Sequence, residues 1–151
     1  MKKRIVFVPA DSNNDKFFGQ FKNSLRKFHS EEDLPLLRFD NPTSDPLFWY
    51  RAKPIIAKEL IKEYQTVIGA DADQIICGDI SSIWNESEYF DIGVVMNDPT
   101  YPIKVWDISP PGKYYNNGLV VFRSREFIDH WHRLCFSEHF NHYQFREQDL
   151  L

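Results

Sequence analysis

The run Val67-Ile68-Gly69-Ala70-Asp71-Ala72-Asp73-Gln74-Ile75-Ile76 narrows the possible folds more than any other part of the chain. A strand that is apolar at consecutive positions is buried on both faces, and such strands belong to sheets covered by helices. Asp71 and Asp73 end that strand and precede a second apolar run, residues 75–77, which reads as another strand. Side chains two apart on an extended chain point the same way, so the two carboxylates are expected to converge. With no basic residue beside them in sequence, they are expensive at the end of a buried strand unless a cation neutralises them. A hard divalent cation, Mn²⁺ or Mg²⁺, does so, because it takes carboxylate and phosphate oxygens together. The competing reading of an isolated Asp-x-Asp is a solvated turn between two strands.

The elements on either side supply a matching frame. Residues 5–8 read as a first strand, followed by the polar loop Pro9-Ala10-Asp11-Ser12-Asn13-Asn14. Asp15 opens a helix to about residue 28, with Phe17, Phe18, Phe21, Leu25 and Phe28 on its apolar face. Residues 36–39 form a second strand, and a turn-rich stretch leads to a helix over residues 48–64. Pro54 marks where its regular part begins, and Ile55, Ile56, Leu60, Ile61 and Tyr64 make its stripe. Residues 91–96 and 118–122 are further strands, separated by a proline-rich segment, 97–113, of the length that in compact domains often serves function. Ser124 caps a helix to about residue 136, and a last helix starts near Arg146. Strand–helix–strand–helix order implies parallel, right-handed α/β layering. With 151 residues, no internal repeat and no low-complexity linker, a single domain over 1–151 is expected.

Charge and composition exclude several function classes. A net charge of −4 leaves no broad basic field for nucleic acid. No apolar run approaches the roughly 20 residues that cross a bilayer, and the start is too short for a signal peptide. Cys77, placed in a strand, and Cys135, placed in a helix, have no metal-type spacing and are expected as buried thiols in a cytoplasmic protein.

In open α/β sheets, ligands bind beyond the carboxyl ends of the strands. Asp11, Asn13 and Asn14 follow the first strand, and Asp71 and Asp73 follow the central one. Tyr114-Tyr115-Asn116-Asn117-Gly118 precedes its strand, so it meets the others only if that strand runs antiparallel. Arg51 and Lys53, at the head of a helix, either add positive charge to a phosphate or are solvated cations. His130 and His132 lie about 200° apart on one helix and cannot share a metal. His139 and His142 are metal-compatible only on a helix. Trp131, Phe127 and Leu134 read as helix core. Trp49, Tyr50 and Trp106 lie in loops, where each either packs or stacks on a base or sugar.

Set in order, these segments resemble the nucleotide-sugar-binding core of GT-A-type glycosyltransferases, most closely the family 8 retaining enzymes of the glycogenin and bacterial galactosyltransferase kind. Residues 5–11 resemble the first strand and its nucleotide-binding loop. Arg51-Ala52-Lys53-Pro54 resembles the opening of the helix before the acidic motif, and residues 66–73 resemble the metal-binding Asp-x-Asp strand. Asn116-Asn117-Gly118 and the following strand resemble the Asn-x-Gly strand of the sugar pocket. Glu147-Gln148-Asp149-Leu150-Leu151 resembles the late segment that approaches the transferred sugar.

The resemblance implies a GT-A, Rossmann-like, mixed but mainly parallel sheet with flanking helices. It implies that Asp71 and Asp73 hold Mn²⁺ or Mg²⁺ against a nucleoside diphosphate, UDP being the expected donor. Pro9, Ala10, Asp11, Arg51, Lys53, Ala72, Asn116, Asn117 and Gly118 would then bind donor, with Asp11 at the base or ribose. Gln148 and Asp149 would stand at the sugar undergoing transfer to a hydroxyl-bearing acceptor. Family members complete the metal site with a late His in a His-x-x-Gly-type segment; none is found here, so the domain is expected to lack its C-terminal part. Two other readings remain: a non-catalytic nucleotide-sugar-binding module and a sugar nucleotidyltransferase. The second lacks support in the first loop, which has no Gly-rich phosphate-binding turn.

Overall fold

The apolar residues before Asp71 form a central strand. In the computed structural model, which describes residues 2–42, 45, 47–86, 89–96, 115–138 and 140, β3 (Tyr64–Ala70) lies between β1 (Lys2–Pro9) and β5 (Tyr115–Phe122). With β2 (Leu36–Phe39) and β4 (Ile92–Met96) at the edges, the sheet order is β2-β1-β3-β5-β4. β1 runs parallel to both β2 and β3, whereas β5 is antiparallel to β3 and β4. Four helices flank it among the described residues: α1 (Asp15–Leu25), α2 (Ala52–Leu60), α3 (Ser81–Glu86) and α4 (Arg125–Cys135).

Both faces of the sheet are buried, as the continuous apolar runs require. Ile5, Phe7, Val67, Val120 and Phe122 point to one face, where they meet Ala52, Ile56 and Ala57 of α2 and Ile128, Trp131 and Cys135 of α4. Val6, Val8, Ile68, Ala70 and Val121 point to the other, against Phe21 and Leu25 of α1 and Ile76 and Trp84. The alternation along each strand thus sorts one apolar sequence into two cores. Phe7 lies beside Gly69 in the β1–β3 register. A Cβ on Gly69 would stand 2.8 Å from Phe7 Cζ, so the glycine makes room for the ring.

Several local expectations change. Residues 48–64 are not one helix: a 3-10 turn (Phe48–Tyr50) precedes α2, and Pro54 sits in the first turn of α2, where a missing N–H does no harm. Tyr64 belongs to β3, paired with Lys2 of β1, because strand pairing outcompetes continuation of the helix. Residues 75–77 form no strand. Ile75 and Cys77 are exposed and only Ile76 turns inward, its N–H donating to the buried Ser24 hydroxyl at 3.0 Å. Farther along that segment, the Ile80 N–H donates to Nε2 of buried His29. Phe17 and Phe28 are about half exposed: Phe17 stands in the first turn of α1, and Phe28 follows its end. Cys135, the Ser124 cap, and the α4 core built on Trp131 agree with expectation. Residues 97–113, with Trp106, and the segment from 141 onward, with His142, Gln148 and Asp149, lie outside the described residues, as does His139. No helix among the described residues is long and apolar enough to cross a membrane.

Candidate nucleotide-sugar site

β1 and β3 are adjacent and parallel, so their carboxyl ends lie together. Because β5 is antiparallel to β3, its first residues return to that same end, and the Asp71 N–H donates to the Gly118 carbonyl at 2.8 Å. This is the strand direction that the Asn116-Asn117-Gly118 segment requires to reach the acidic pair. A cavity of about 380 Å³ opens there, lined by Pro9, Asn14, Phe17, Trp49, Lys53, Asp71, Ala72 and Asp73.

The acidic pair does not continue the strand. The Gln74 N–H donates back to the Asp71 carbonyl, making residues 71–74 a turn. Asp71 and Asp73 nevertheless both line the cavity. Nor is the pair without a cation. Lys53 is 5% exposed, its Nζ is 2.6 Å from Asp71 Oδ1, and it donates to the Asn117 carbonyl. Sequence proximity hid this partner, because 18 residues and a helix-to-strand turn separate the two.

Gly118 and Asn116 stand beside the acidic turn, outside the residues that line the cavity. The Gly118 N–H donates to Asn116 Oδ1 at 2.6 Å. A Cβ on Gly118 would collide with the Gln74 side-chain amide, stand 2.7 Å from Asn116 Oδ1 and reach within 3.4 Å of Asp71 Oδ2. A larger residue here would make the Gln74 and Asn116 side-chain ends shift. Asn117 is buried and contributes its carbonyl to Lys53, while Ala10 is buried and donates its N–H to the Phe39 carbonyl of β2.

Of the sequence-derived set among the described residues, Pro9, Lys53, Asp71, Ala72 and Asp73 line the cavity, whereas Ala10, Asp11, Arg51, Asn116, Asn117 and Gly118 do not. Asp11 accepts from the backbone N–H groups of Asn13 and Asn14 and from the Asn14 side chain, so its carboxylate organises its own loop. Arg51 donates from Nε to the Cys135 carbonyl and lays its guanidinium over Phe140, 4.3 Å from the ring centre. It fastens the start of α2 to the end of α4, and Lys53 alone of the two cations lines the cavity. Phe17, assigned to the helix core from its spacing, lines the cavity with Trp49. The sequence signal for Phe17 was its place in the first helical turn, directly after the loop that leaves β1.

The donor set suits a hard cation. Asp71 and Asp73 both line the cavity and neither is buried, so water and phosphate oxygens would have room to complete the coordination of a cation there. Among the described residues no group of three or more His, Cys, Asp or Glu side chains is placed to hold a metal. Lys53→Met should destabilise the fold by about 1–3 kcal/mol, because the buried Asn117 carbonyl loses its donor while half-exposed Asp71 is rehydrated. Urea unfolding measures this; an unchanged midpoint would mean that water replaces the ammonium.

No family model matches the sequence, and no curated protein matches it. Solved structures do. WbbM, a bifunctional glycosyltransferase, superposes with a TM-score of 0.74 over 99% of this chain and 36% of its own, at 13% identity. The chain has the GT-A glycosyltransferase fold. The glycosyltransferase GlyE of Streptococcus pneumoniae aligns at a TM-score of 0.65 and 15% identity, over 99% of this chain and 42% of GlyE. The galactosyltransferase LgtC, solved with donor and acceptor sugar analogs, aligns at 0.63 and 16%, over 97% of this chain and 68% of LgtC. The chain thus spans between about a third and two thirds of the length of these GT-A proteins. At such identities the likeness is one of backbone path.

Proposed function

We propose that the chain carries the donor site of a metal-dependent glycosyltransferase, moving a sugar from UDP to a hydroxyl acceptor with retention at the anomeric carbon. The observation that supports this most is that Lys53, Asp71 and Asp73 line one cavity at the carboxyl ends of β1 and β3, with β5 hydrogen-bonded to the acidic turn through the Gly118 carbonyl. The GT-A fold of glycosyltransferases agrees with it, and retention follows the resemblance to family 8 enzymes.

In this reading Asp71 and Asp73 hold Mn²⁺ or Mg²⁺. When bound, such a cation supplies positive charge that stabilises the departing diphosphate as a Lewis acid does. Lys53 performs a complementary task. Its ammonium, fixed between Asp71 and the Asn117 carbonyl, holds the acidic turn against β5 and adds a positive charge beside the cavity. By the resemblance to family 8 enzymes, Asn116 and Gly118 would belong to the sugar pocket, and Gln148 and Asp149 would act at the transferred sugar. Apolar Ala72 and Pro9 exclude water from the wall they line.

Thermal unfolding with UDP tests the proposal. At 100 times Kd, UDP with Mn²⁺ should raise Tm by roughly 5–10 °C for a domain of this size. UDP alone should do much less. Absence of any response to nucleotide with Mn²⁺ would refute the donor site. Release of free sugar from UDP-sugar would separate a catalytic domain from a binding module.

A further inference from the structure

The buried polar or charged side chains among the described residues are Ser24, His29, Lys53, Thr66 and Asn117. Burying a polar group costs free energy unless it is hydrogen-bonded, so each marks a polar contact kept inside the fold. Lys53 and Asn117 meet at the entry to the acidic turn. Ser24 and His29 meet the chain that leaves it. Ser24 lies on the buried face of α1 with Phe21 and Leu25, where an apolar residue would continue the stripe. Its hydroxyl instead donates to the Phe21 carbonyl at 2.8 Å and accepts from the Ile76 N–H at 3.0 Å. His29 follows the helix and accepts the Ile80 N–H on Nε2 at 3.1 Å, so Nε2 is the unprotonated ring nitrogen. Asp79 Oδ1 stands 3.6 Å from Nε2, beyond hydrogen-bond reach, and accepts instead from the Ser81 N–H at 2.7 Å. Trp84 backs the imidazole edge-on, ring centres 5.4 Å apart.

Residues 75–80 have little else to fix them. They form neither helix nor strand, and none of their N–H groups bonds to a backbone carbonyl among the described residues. Ile76 packs beside α1, but Ile75 and Cys77 on either side are exposed. The Ser24 hydroxyl and the His29 imidazole are thus the polar tethers that hold this segment to α1. On the other side of the turn, Asp71 is placed by Lys53 and by the Gly118 carbonyl. Asp73 therefore stands between an anchored Asp71 and an anchored Ile76, and its position relative to Asp71 depends on both anchors.

We propose that Ser24 and His29 are positioning residues of the metal site: by holding residues 76–80 against α1, they keep Asp73 at the separation from Asp71 that a shared cation needs. The inference rests on the reading of Asp71 and Asp73 as metal ligands and extends it to two side chains that line no part of the cavity. Loss of either tether frees the exit of the turn. A cation then meets a wider range of carboxylate separations, and its binding weakens although both ligands are intact.

Calorimetry with UDP, with and without Mn²⁺, tests the assignment. Ser24→Ala and His29→Leu should each reduce the Mn²⁺-dependent gain in UDP affinity by about tenfold, as for other groups that orient metal ligands, and leave the affinity for UDP alone within about twofold. Ser24→Thr and His29→Gln return a hydroxyl and an amide oxygen to accept the same N–H groups, and should recover most of the gain. Ile128→Val, in the α4 core on the opposite face of the sheet, should lower the urea midpoint yet keep the gain, which separates positioning from a general loss of stability. Hydrogen exchange reads the same coupling in the unsubstituted protein: saturation with UDP and Mn²⁺ should slow the Ile76 and Ile80 amides by about tenfold or more. The assignment is overturned if Ser24→Ala and His29→Leu keep the gain, if Ile128→Val loses as much as they do, if the conservative variants recover none of it, or if the ligand leaves those two amides unchanged. A parent that binds UDP no better with Mn²⁺ than without would instead refute the metal reading on which the inference rests.

Discussion

Asp73→Asn should lower the Mn²⁺-dependent affinity for UDP by on the order of 100-fold or more and leave the urea midpoint unchanged. Groups that merely orient a metal ligand already cost roughly 10–100-fold when removed, so loss of a ligand charge belongs at or beyond the top of that range. The substitution keeps the side chain's shape and replaces one anionic oxygen by an amide. Asp73 is exposed in its turn and has no ion-pair partner among the described residues, so folding is expected to be indifferent to it. Asp71→Asn should weaken binding similarly but also loosen Lys53, which Asp71 contacts at 2.6 Å. The two variants therefore separate the metal role, common to both, from the structural role of Asp71. If Asp73→Asn binds UDP with Mn²⁺ as tightly as the parent, the acidic turn does not hold the cation.

Trp131→Ala should have the opposite profile, costing about 3–5 kcal/mol of stability. Trp131 is 1% exposed and stacks on Phe122, ring centres 5.5 Å apart, where α4 covers the sheet. Truncation removes a large apolar area and leaves a cavity that the β-sheet on one side cannot collapse to fill. Small domains have stabilities of about 5–15 kcal/mol, so the variant spends a large part of the total. Urea unfolding should show a lower midpoint with an unchanged slope. Since Trp131 lines no part of the candidate site, saturation with UDP and Mn²⁺ should recover part of the lost stability by mass action. A loss below about 1 kcal/mol would mean that the core around α4 is looser than its burial indicates.

The strands were readable because each carries its own signal. β2 was located to the residue, and β3 and β5 were recognised from their consecutive apolar side chains, although both extend farther than expected. Pairing explains the extension: Lys2 and Tyr64 are unremarkable alone and become strand residues when placed opposite each other. Helix boundaries were less readable for the same reason. The 48–64 pattern is apolar enough for one helix, yet its last residues satisfy a strand and its first a 3-10 turn. The apolar run at 75–77 misled most, since exposed Ile75 and Cys77 flank a single anchored residue, Ile76. At the cavity, Pro9, Lys53, Asp71, Ala72 and Asp73 are residues that the sequence singled out. Phe17 was misassigned because apolar spacing reports a helix face and not what that face meets.

By itself the sequence determined a covered α/β sheet and, at the end of its most apolar strand, an acidic pair. Hydrophobic burial and the two-residue period of strands are local rules, and they act on residues close together in the chain. Only the tertiary structure decided that β5 returns antiparallel, bringing Gly118 against the acidic turn, and that Lys53 rather than Arg51 faces Asp71. It also showed that the two aspartates stand in a turn, not along an extended strand. These outcomes depend on contacts between residues tens of positions apart, where packing chooses between groups that look alike in sequence. Asp71-Ala72-Asp73 stands out in the sequence; the fold places Lys53, Phe17 and Trp49 around the cavity that it lines.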